Sequence, residues 1–435
     1  METILITGTL YFISIQIYNQ FSLFRKFLIQ PSIICGTILV LIGPYGPSLL
    51  PENTYNTLKE LPAILISFLF SGIILSSPSL TLKNSQLMTR ILRQGIFVWI
   101  IGLVQLFMGF IISYLCFGDQ KEYLLLSSFI EIGWLGGHGS AAAFSGFLRE
   151  LGFPEIGDFA IISATIGLLW GSISGMILVN LIKKRIMFKK YFKKVDLTNL
   201  DSFVENEKNF DKIDISLLIY GFIFPILPVT IAYVLKNIIL KSNLFSIDVN
   251  NFIDKLPLFF VVILFTFFIK KIIFYKLYNK EQIEIGIKIF TGIILDVMIL
   301  SAIATMNLKM VFKSFDIILF YTIGGIFISL LTFFISPFFI DDFPEISLIN
   351  YGMATGTTAI GLMLLNSFKS IQDKSSQLAI IVYGSAAPLS APFIGGGILS
   401  FLVPMFILKG YFFYMLLIII FVLFILMGLS FFLKS

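Results

Sequence analysis

Long apolar runs separated by short polar breaks dominate the chain. A spanning helix needs about 20 mostly apolar residues. Segments near 3–21, 27–49, 61–80, 95–117, 158–182, 214–240, 255–278, 286–307, 316–339, 377–407 and 411–433 meet that rule. Two further apolar pieces, about 123–148 and 346–368, are interrupted by glycine and other small residues and do not read as simple spans. The longest polar stretch, 183–212, opens with KKRIMFKKYFKK and turns acidic at DSFVENEKNFDK. It reads as a basic juxtamembrane linker, too short for a soluble domain. The N-terminal METILITGTL carries an acidic residue and lacks the basic region of a cleaved signal peptide, so the first helix is expected to be retained.

Composition agrees with the pattern. The chain is 57% hydrophobic and only 13% charged, against roughly 25% charged in soluble domains. Its mean hydropathy is +0.96. So much apolar surface needs the bilayer as solvent, and an all-α polytopic membrane protein is expected. The net charge of +6 comes from 26 Lys and five Arg, which gives no arginine-rich patch for nucleic acid. Cys35 and Cys116 both lie in apolar segments, so no disulfide framework is read from them.

The placement of Lys and Arg sets orientation. With the N-terminus outside and both interrupted pieces dipping in and returning on the same side, most of the basic residues fall inside: Arg25 and Lys26, Arg90 and Arg93, the run from Lys183 to Lys212, and the group from Lys270 to Lys288. Five spans and a dip then precede the linker, and five spans and a dip follow it. An odd number of spans inverts one half relative to the other, a recurring transporter plan with a midplane site. The expected fold is therefore two inverted five-helix repeats, each with a re-entrant glycine-rich hairpin, plus an added C-terminal helix. Its parts are a first repeat at 1–182, a cytoplasmic linker at 183–212, a second repeat at 213–408 and the extra helix at 409–435. The AII triplets at Ala160–Ile162 and Ala379–Ile381 follow the two interruptions at similar distances.

Irregular backbone at membrane depth is tolerated only where protein buries it or a cavity is lined by it. In GWLGGHGSAAAFSGF the glycines 136, 137 and 139 let another group approach the main chain, and Ser140 with Ala141–Ala143 permits tight helix packing. YGMATGTTAIG repeats the idea with Gly352, Gly356 and Gly361 and adds the hydroxyls of Thr355, Thr357 and Thr358. Two helix–break–helix hairpins whose tips meet would aim N–H groups and helix N-termini at an anion, while freed carbonyls would hold Na⁺. Gly136, Gly137, His138, Gly139, Ser140, Thr355, Gly356, Thr357 and Thr358 are the candidate substrate residues. The bland alternative is that glycine and alanine only mark close helix packing.

GGHGSAAAFSGFLRELGF followed by ATIGLLWG resembles the bacterial glutamate:sodium symporter family, and FRKFLIQPSIICGTILV is similar to that family's basic second helix. The resemblance in layout covers about residues 1–405. It implies a secondary active transporter with two inverted halves and re-entrant hairpins, forming a homodimer in the bacterial inner membrane. It also implies sodium as the coupling ion, a transport domain that moves against a scaffold in an elevator-like cycle, and glutamate as the first candidate substrate. The chain departs from the family in IQPSI, in GSISGM and in GTTAIG, which lacks the family's proline at that point.

Glu131 and Asp296 are the acids deepest in apolar sequence. Each would cost about 2.5–3.5 kcal/mol at a helix centre, which makes each a functional candidate. Either can bind Na⁺ or carry a proton; Thr165 and Ser385 are weaker cation candidates. Pro388 and Pro392 would break the tenth helix and free carbonyls. His138 has neither carboxylate nor cysteine beside it in sequence, so it reads first as a neutral imidazole bracing the hairpin tip and second as a substrate contact. The arginines lie near span edges, which leaves backbone N–H groups, hydroxyls and co-bound cations to hold an anion. No cofactor, and no metal beyond transported sodium, is expected. A sodium/proton antiporter using Asp296 and Glu131 is the nearest rival reading. A transporter of another carboxylate is a second. A membrane-embedded transferase is the most distant, since the acidic doublet Asp341–Asp342 has no histidine beside it.

Overall fold

The computed structural model describes residues 1–44, 46–76, 85–183, 214–242, 258–272, 280–340, 344–356, 358–369 and 373–433. Among them there are helices and no strand. Seven helical stretches are long and apolar enough to cross a membrane: Glu52–Ser76, Leu87–Phe117, Pro154–Lys183, Ile215–Ser242, Gln282–Ala304, Phe315–Phe339 and Phe412–Phe432. This is a multi-pass membrane protein. The expected linker at 183–212 lies almost wholly outside the described residues, as do Thr357, Asp341 and Asp342.

In chain order the helices are α1 (Glu2–Gln20), α2 (Ser22–Lys26), α3 (Pro31–Ile42), α4 (Glu52–Ser76), α5 (Ser85–Phe117), α6 (Lys121–Leu124), α7 (Gly137–Glu150), α8 (Pro154–Lys183), α9 (Ile215–Ile223), α10 (Ile226–Ser242), α11 (Leu258–Ile272), α12 (Lys280–Ala304), α13 (Leu308–Lys313), α14 (Phe315–Phe339), α15 (Pro344–Met353), α16 (Thr358–Phe368), α17 (Lys374–Ser390), α18 (Ile398–Leu408) and α19 (Phe412–Phe432). Proline and glycine explain most of the ends. Pro31 opens α3, where its missing N–H costs nothing, and Gly43 closes it. Pro225 lies between α9 and α10, where the chain turns briefly before helix resumes.

Two expected spans are corrected. The segment 27–49 holds a helix of only 12 residues, α3, because GPYGP follows it. The segment 377–407 is two helices, α17 and α18, because APFIGGG intervenes.

The chain divides into two compact units. One comprises residues 1–62, 79–204 and 299–435; the other comprises 63–78 and 205–298. In the smaller unit the α4 segment after Pro62 packs with α9–α12. Leu75, Phe224, Ile269, Ile283 and Ile287 form a core there, and Phe70 stacks on Phe259 at 5.4 Å. Gly286 lets α12 approach the backbone of α9, since an added Cβ would lie 2.2 Å from the Leu218 carbonyl oxygen. The larger unit holds both interrupted pieces. There α5 runs beside α14, α17 and α19 and reaches α15 through Gln94 on Asn350 at 2.6 Å, while α8 packs on α7, α14, α15 and α16.

Candidate functional site

The first interruption is built from unusual helix. A 3₁₀ turn at Leu125–Ser128 leads into a π-helical turn at Glu131–Leu135, and α7 starts at Gly137. Single π turns inside helices often mark functional sites. Gly133 lies so close to α8 that an added Cβ would come 2.5 Å from the Ser163 side chain, and Ser163 donates to the Phe129 carbonyl at 3.0 Å. His138 is buried, with Nε2 3.0 Å from Thr165 Oγ1. The Thr165 hydroxyl gives its single proton to the Ile161 carbonyl at 3.1 Å. The imidazole Nε2–H is therefore the donor to Thr165, and the ring ties α7 to α8. Gly139 and Ser140, one and two residues further on, are half-buried.

The second interruption lies between α15 and α16. Thr355 is fully buried, and its hydroxyl turns back to donate to the Tyr351 and Gly352 carbonyls at 3.0 and 3.1 Å. It sits on α8 at Gly167 and Gly171. A Cβ at Gly171 would fall 2.2 Å from Thr355 Oγ1. One at Gly167 would meet both the Thr355 carbonyl oxygen at 2.8 Å and the Trp134 ring at 3.2 Å. Gly167 is thus where the two interruptions come together. Ser163, Thr165, Gly167 and Gly171 span roughly 12 Å of α8 at 1.5 Å per residue. Thr358 is exposed, and its hydroxyl lies 2.9 Å from that of Tyr383 on α17.

A third break, between α17 and α18, closes on the first. Gly395 and Gly396 have φ of +71° and +81°, a conformation that glycine adopts without the penalty a Cβ brings. Their N–H groups point at the carboxylate of Glu131. It accepts from Gly395 N, from Gly396 N at 3.4 Å and from the Ser400 hydroxyl at 2.7–2.8 Å. Ser140 donates to the Gly395 carbonyl at 3.1 Å. The carbonyls that lose a donor to Pro388 and Pro392 are those of Gly384 and Pro388; Leu389 O, left by Phe393 N, which bonds Ser390 O instead, accepts Trp99 Nε1 at 2.9 Å. α17 itself continues through Pro388 to Ser390.

The larger unit holds Glu131, Gly136–Ser140, Thr165, Thr355, Gly356 and Thr358, and its two interruptions meet through Trp134 and Thr355 at Gly167. Ser385 is half-buried on α17. Asp296 belongs to the smaller unit, half-buried on α12. Two of the arginines, the buried Arg93 and the half-buried Arg149, are engaged with the protein. Arg93 donates to the Phe339 carbonyl at 2.5 and 2.9 Å. Arg149 pairs with Asp158 at 3.0 Å and with Thr305 Oγ1 at 2.8 Å, and Asp158 also accepts Asn307 N at 2.8 Å.

Sequence reasoning passed over Gly395, Gly396, Ser400, Trp134, Gly167, Gly171 and the Arg149–Asp158 pair. Two signals were available. The glycine triplet 395–397 was visible, and glycines at 167, 171 and 175 repeat every fourth residue, the spacing of close helix approach.

Residues 1–340 match the family described as sodium/glutamate symporter. The match takes in the first interruption and α8 and ends before α15. No curated protein sequence matches the chain.

Proposed function

The chain belongs to the sodium/glutamate symporter family, whose members are transporters rather than enzymes, and on that premise we propose that it carries out sodium-coupled symport of a small organic anion. Glutamate is the first candidate substrate and another carboxylate the second. The observation that carries this reading is the meeting of the two interruptions at Gly167 on one face of α8. In the same unit the half-buried Gly139 and Ser140 and the exposed Thr358 offer N–H and hydroxyl donors. Helix N-termini at Gly137 and Thr358 suit an anion there. With Arg93 and Arg149 engaged elsewhere, backbone amides, hydroxyls and sodium would hold the anion.

The reading extends to architecture. The two hairpins are re-entrant elements of inverted repeats at 1–182 and 213–408, joined by a cytoplasmic linker, and α19 is an addition. The division of the chain into two compact units, with both hairpins in one of them, supports an elevator-like cycle in a homodimer of the bacterial inner membrane. A tenfold sodium gradient supplies about 1.4 kcal/mol and 100 mV about 2.3 kcal/mol per net charge. Together these would sustain accumulation of several hundredfold. The sodium/proton antiporter reading gains no support at Glu131, whose carboxylate is engaged by three donors.

The test is uptake of labelled glutamate into proteoliposomes with and without an inward sodium gradient, repeated with aspartate and dicarboxylates as competitors. Sodium-driven uptake of any of these supports symport, and the competitor order assigns the substrate. Uptake indifferent to sodium would overturn the proposal.

A further inference from the structure

Several threonines inside the helices turn their hydroxyl proton onto their own backbone. Thr165 donates to the carbonyl of Ile161, Thr266 to Val262, Thr322 to Ile318 and Thr332 to Ile328, each four positions back. Such a hydroxyl has no proton left to offer a solute. Thr358 differs because it opens α16 just after the second interruption. Four positions before it stands Ala354, on the other side of the break, and the Ala354 carbonyl accepts Gln105 Nε2 from α5 at 3.1 Å. The Thr358 hydroxyl meets instead that of Tyr383, half-buried on α17, at 2.9 Å.

One proton joins the two oxygens, and the other is free. A phenol is the stronger acid and hence the better donor, whereas an aliphatic hydroxyl oxygen is the better acceptor. Tyr383 Oη–H therefore donates to Thr358 Oγ1, and the Thr358 proton points away from the pair. Thr358 is exposed whereas Tyr383 is half-buried, so the free proton lies on the member that a solute reaches. A hydroxyl that already accepts a hydrogen bond is polarised into a stronger donor, and a carboxylate takes such a donor in a short, charge-assisted bond.

We propose that Tyr383 is a positioning residue for the transported anion: its hydroxyl holds the Thr358 side chain so that the Thr358 O–H is aimed at the anion's carboxylate. The inference rests on the symport reading above and adds to it the group that sets Thr358 in place. An unheld hydroxyl would have to give up its rotational freedom each time the anion binds. Tyr383 meets that cost beforehand, and it does so from α17, outside the second interruption itself. The aromatic ring fixes the phenol oxygen with only two side-chain torsions to order, so the aim is kept even where the tip of the second interruption moves.

The experiment measures uptake kinetics in proteoliposomes for wild type, Tyr383→Phe, Thr358→Val and the double variant. The probe is labelled glutamate, aspartate or succinate, whichever wild type takes up best. Tyr383→Phe is expected to raise KM about three- to tenfold, as the loss of one neutral hydrogen bond would, with Vmax and melting temperature near those of wild type. In the Thr358→Val background the same change is expected to add less than about twofold, because no hydroxyl is left to aim. A wild-type KM in Tyr383→Phe overturns the assignment. A full, independent increase in the double variant also overturns it, since Tyr383 would then contact the anion directly. So does a large fall in melting temperature or Vmax at unchanged KM, which would make the hydroxyl a structural bond only. In each of these cases sodium-driven uptake by wild type leaves the symport reading standing. Wild type that takes up none of the three anions overturns both.

Discussion

Replacing Glu131 separates two roles that a buried acid in a membrane protein can have. If its carboxylate serves as the acceptor that closes the third break, what matters is oxygen rather than charge. Glu131→Gln keeps one oxygen for the Gly395 and Gly396 N–H groups. Its new amide N–H₂ faces Ser400, whose hydroxyl can accept as well as donate. The bonds lose charge assistance, but the side chain no longer has to bury an ion, so the net cost is at most about 1 kcal/mol. Glu131→Leu removes the acceptor outright. Gly396 N retains Ser400 Oγ at 3.0 Å, so the groups left without a partner are Gly395 N and the Ser400 hydroxyl. At about 1–3 kcal/mol for each buried orphan, the loss is about 2–6 kcal/mol. Thermal unfolding in detergent should then place Glu131→Gln within a degree or two of wild type and Glu131→Leu many degrees below. Sodium-driven uptake by Glu131→Gln should keep its sodium dependence and its charge per cycle. The reverse pattern, wild-type thermal stability in Glu131→Gln with altered sodium or proton coupling, would make Glu131 a coupling group and refute the acceptor role.

Three further tests probe the neighbourhood. Gly171→Ala drives a Cβ into the Thr355 side chain; by analogy with other overpacked sites it should cost about 1–3 kcal/mol and lower uptake, and unchanged uptake with unchanged melting would dissociate Gly171 from the second interruption. Arg149→Gln and Asp158→Asn should each destabilise by about 3–5 kcal/mol because each strands a buried charge. The double substitution should cost clearly less than the two together, and strict additivity in a double-mutant cycle of melting temperatures would rule out the pair as a unit. Thr358→Val should raise the KM for the transported anion at least tenfold with little change in melting, Thr358→Ser should restore it, and a wild-type KM in Thr358→Val would remove this hydroxyl from the substrate site.

Much of the helical layout was legible because crossing a bilayer imposes a length and a composition that hydropathy reads directly. Within apolar runs that reading failed at two places. Counting apolar residues across 377–407 passes straight through Gly395–Gly397, and across 27–49 it passes through Gly43 and Pro44, although helix has ended at both places. The two interruptions were legible for a related reason: glycine clusters inside apolar sequence are expensive unless something approaches the backbone. What approaches it was not legible. Glu131 and Gly395 lie 264 positions apart, and Gln105 and Ala354 lie 249 apart. No local pattern announces such partners. Asp296 and Glu131 looked alike in sequence as lone acids in apolar runs. The fold separates them by surroundings, one half-buried on α12 and the other fully buried with three donors.

The two interruptions are tied down by the same device at different depths. In each, a side chain just past the break reaches the helix that follows the hairpin: His138 to Thr165, 27 positions on, and Thr358 to Tyr383, 25 positions on. That repetition supports the proposed repeat, and the contrast within it assigns roles. His138 is buried, and its hairpin is further anchored through Glu131 and Ser140 to the third break. Thr358 is exposed. A solute reaches an exposed hydroxyl before a buried imidazole, and elements that must move to admit it come from the less anchored end of a structure. On the proposed function, the tip of the second interruption is expected to be the arm that yields, with His138 on the side it closes against. Hydrogen exchange would read this directly: amides at 358–361 should exchange faster than those at 138–141 without substrate and slow on adding the transported anion. Equal protection of both tips, unchanged by the anion, would deny the second interruption this part.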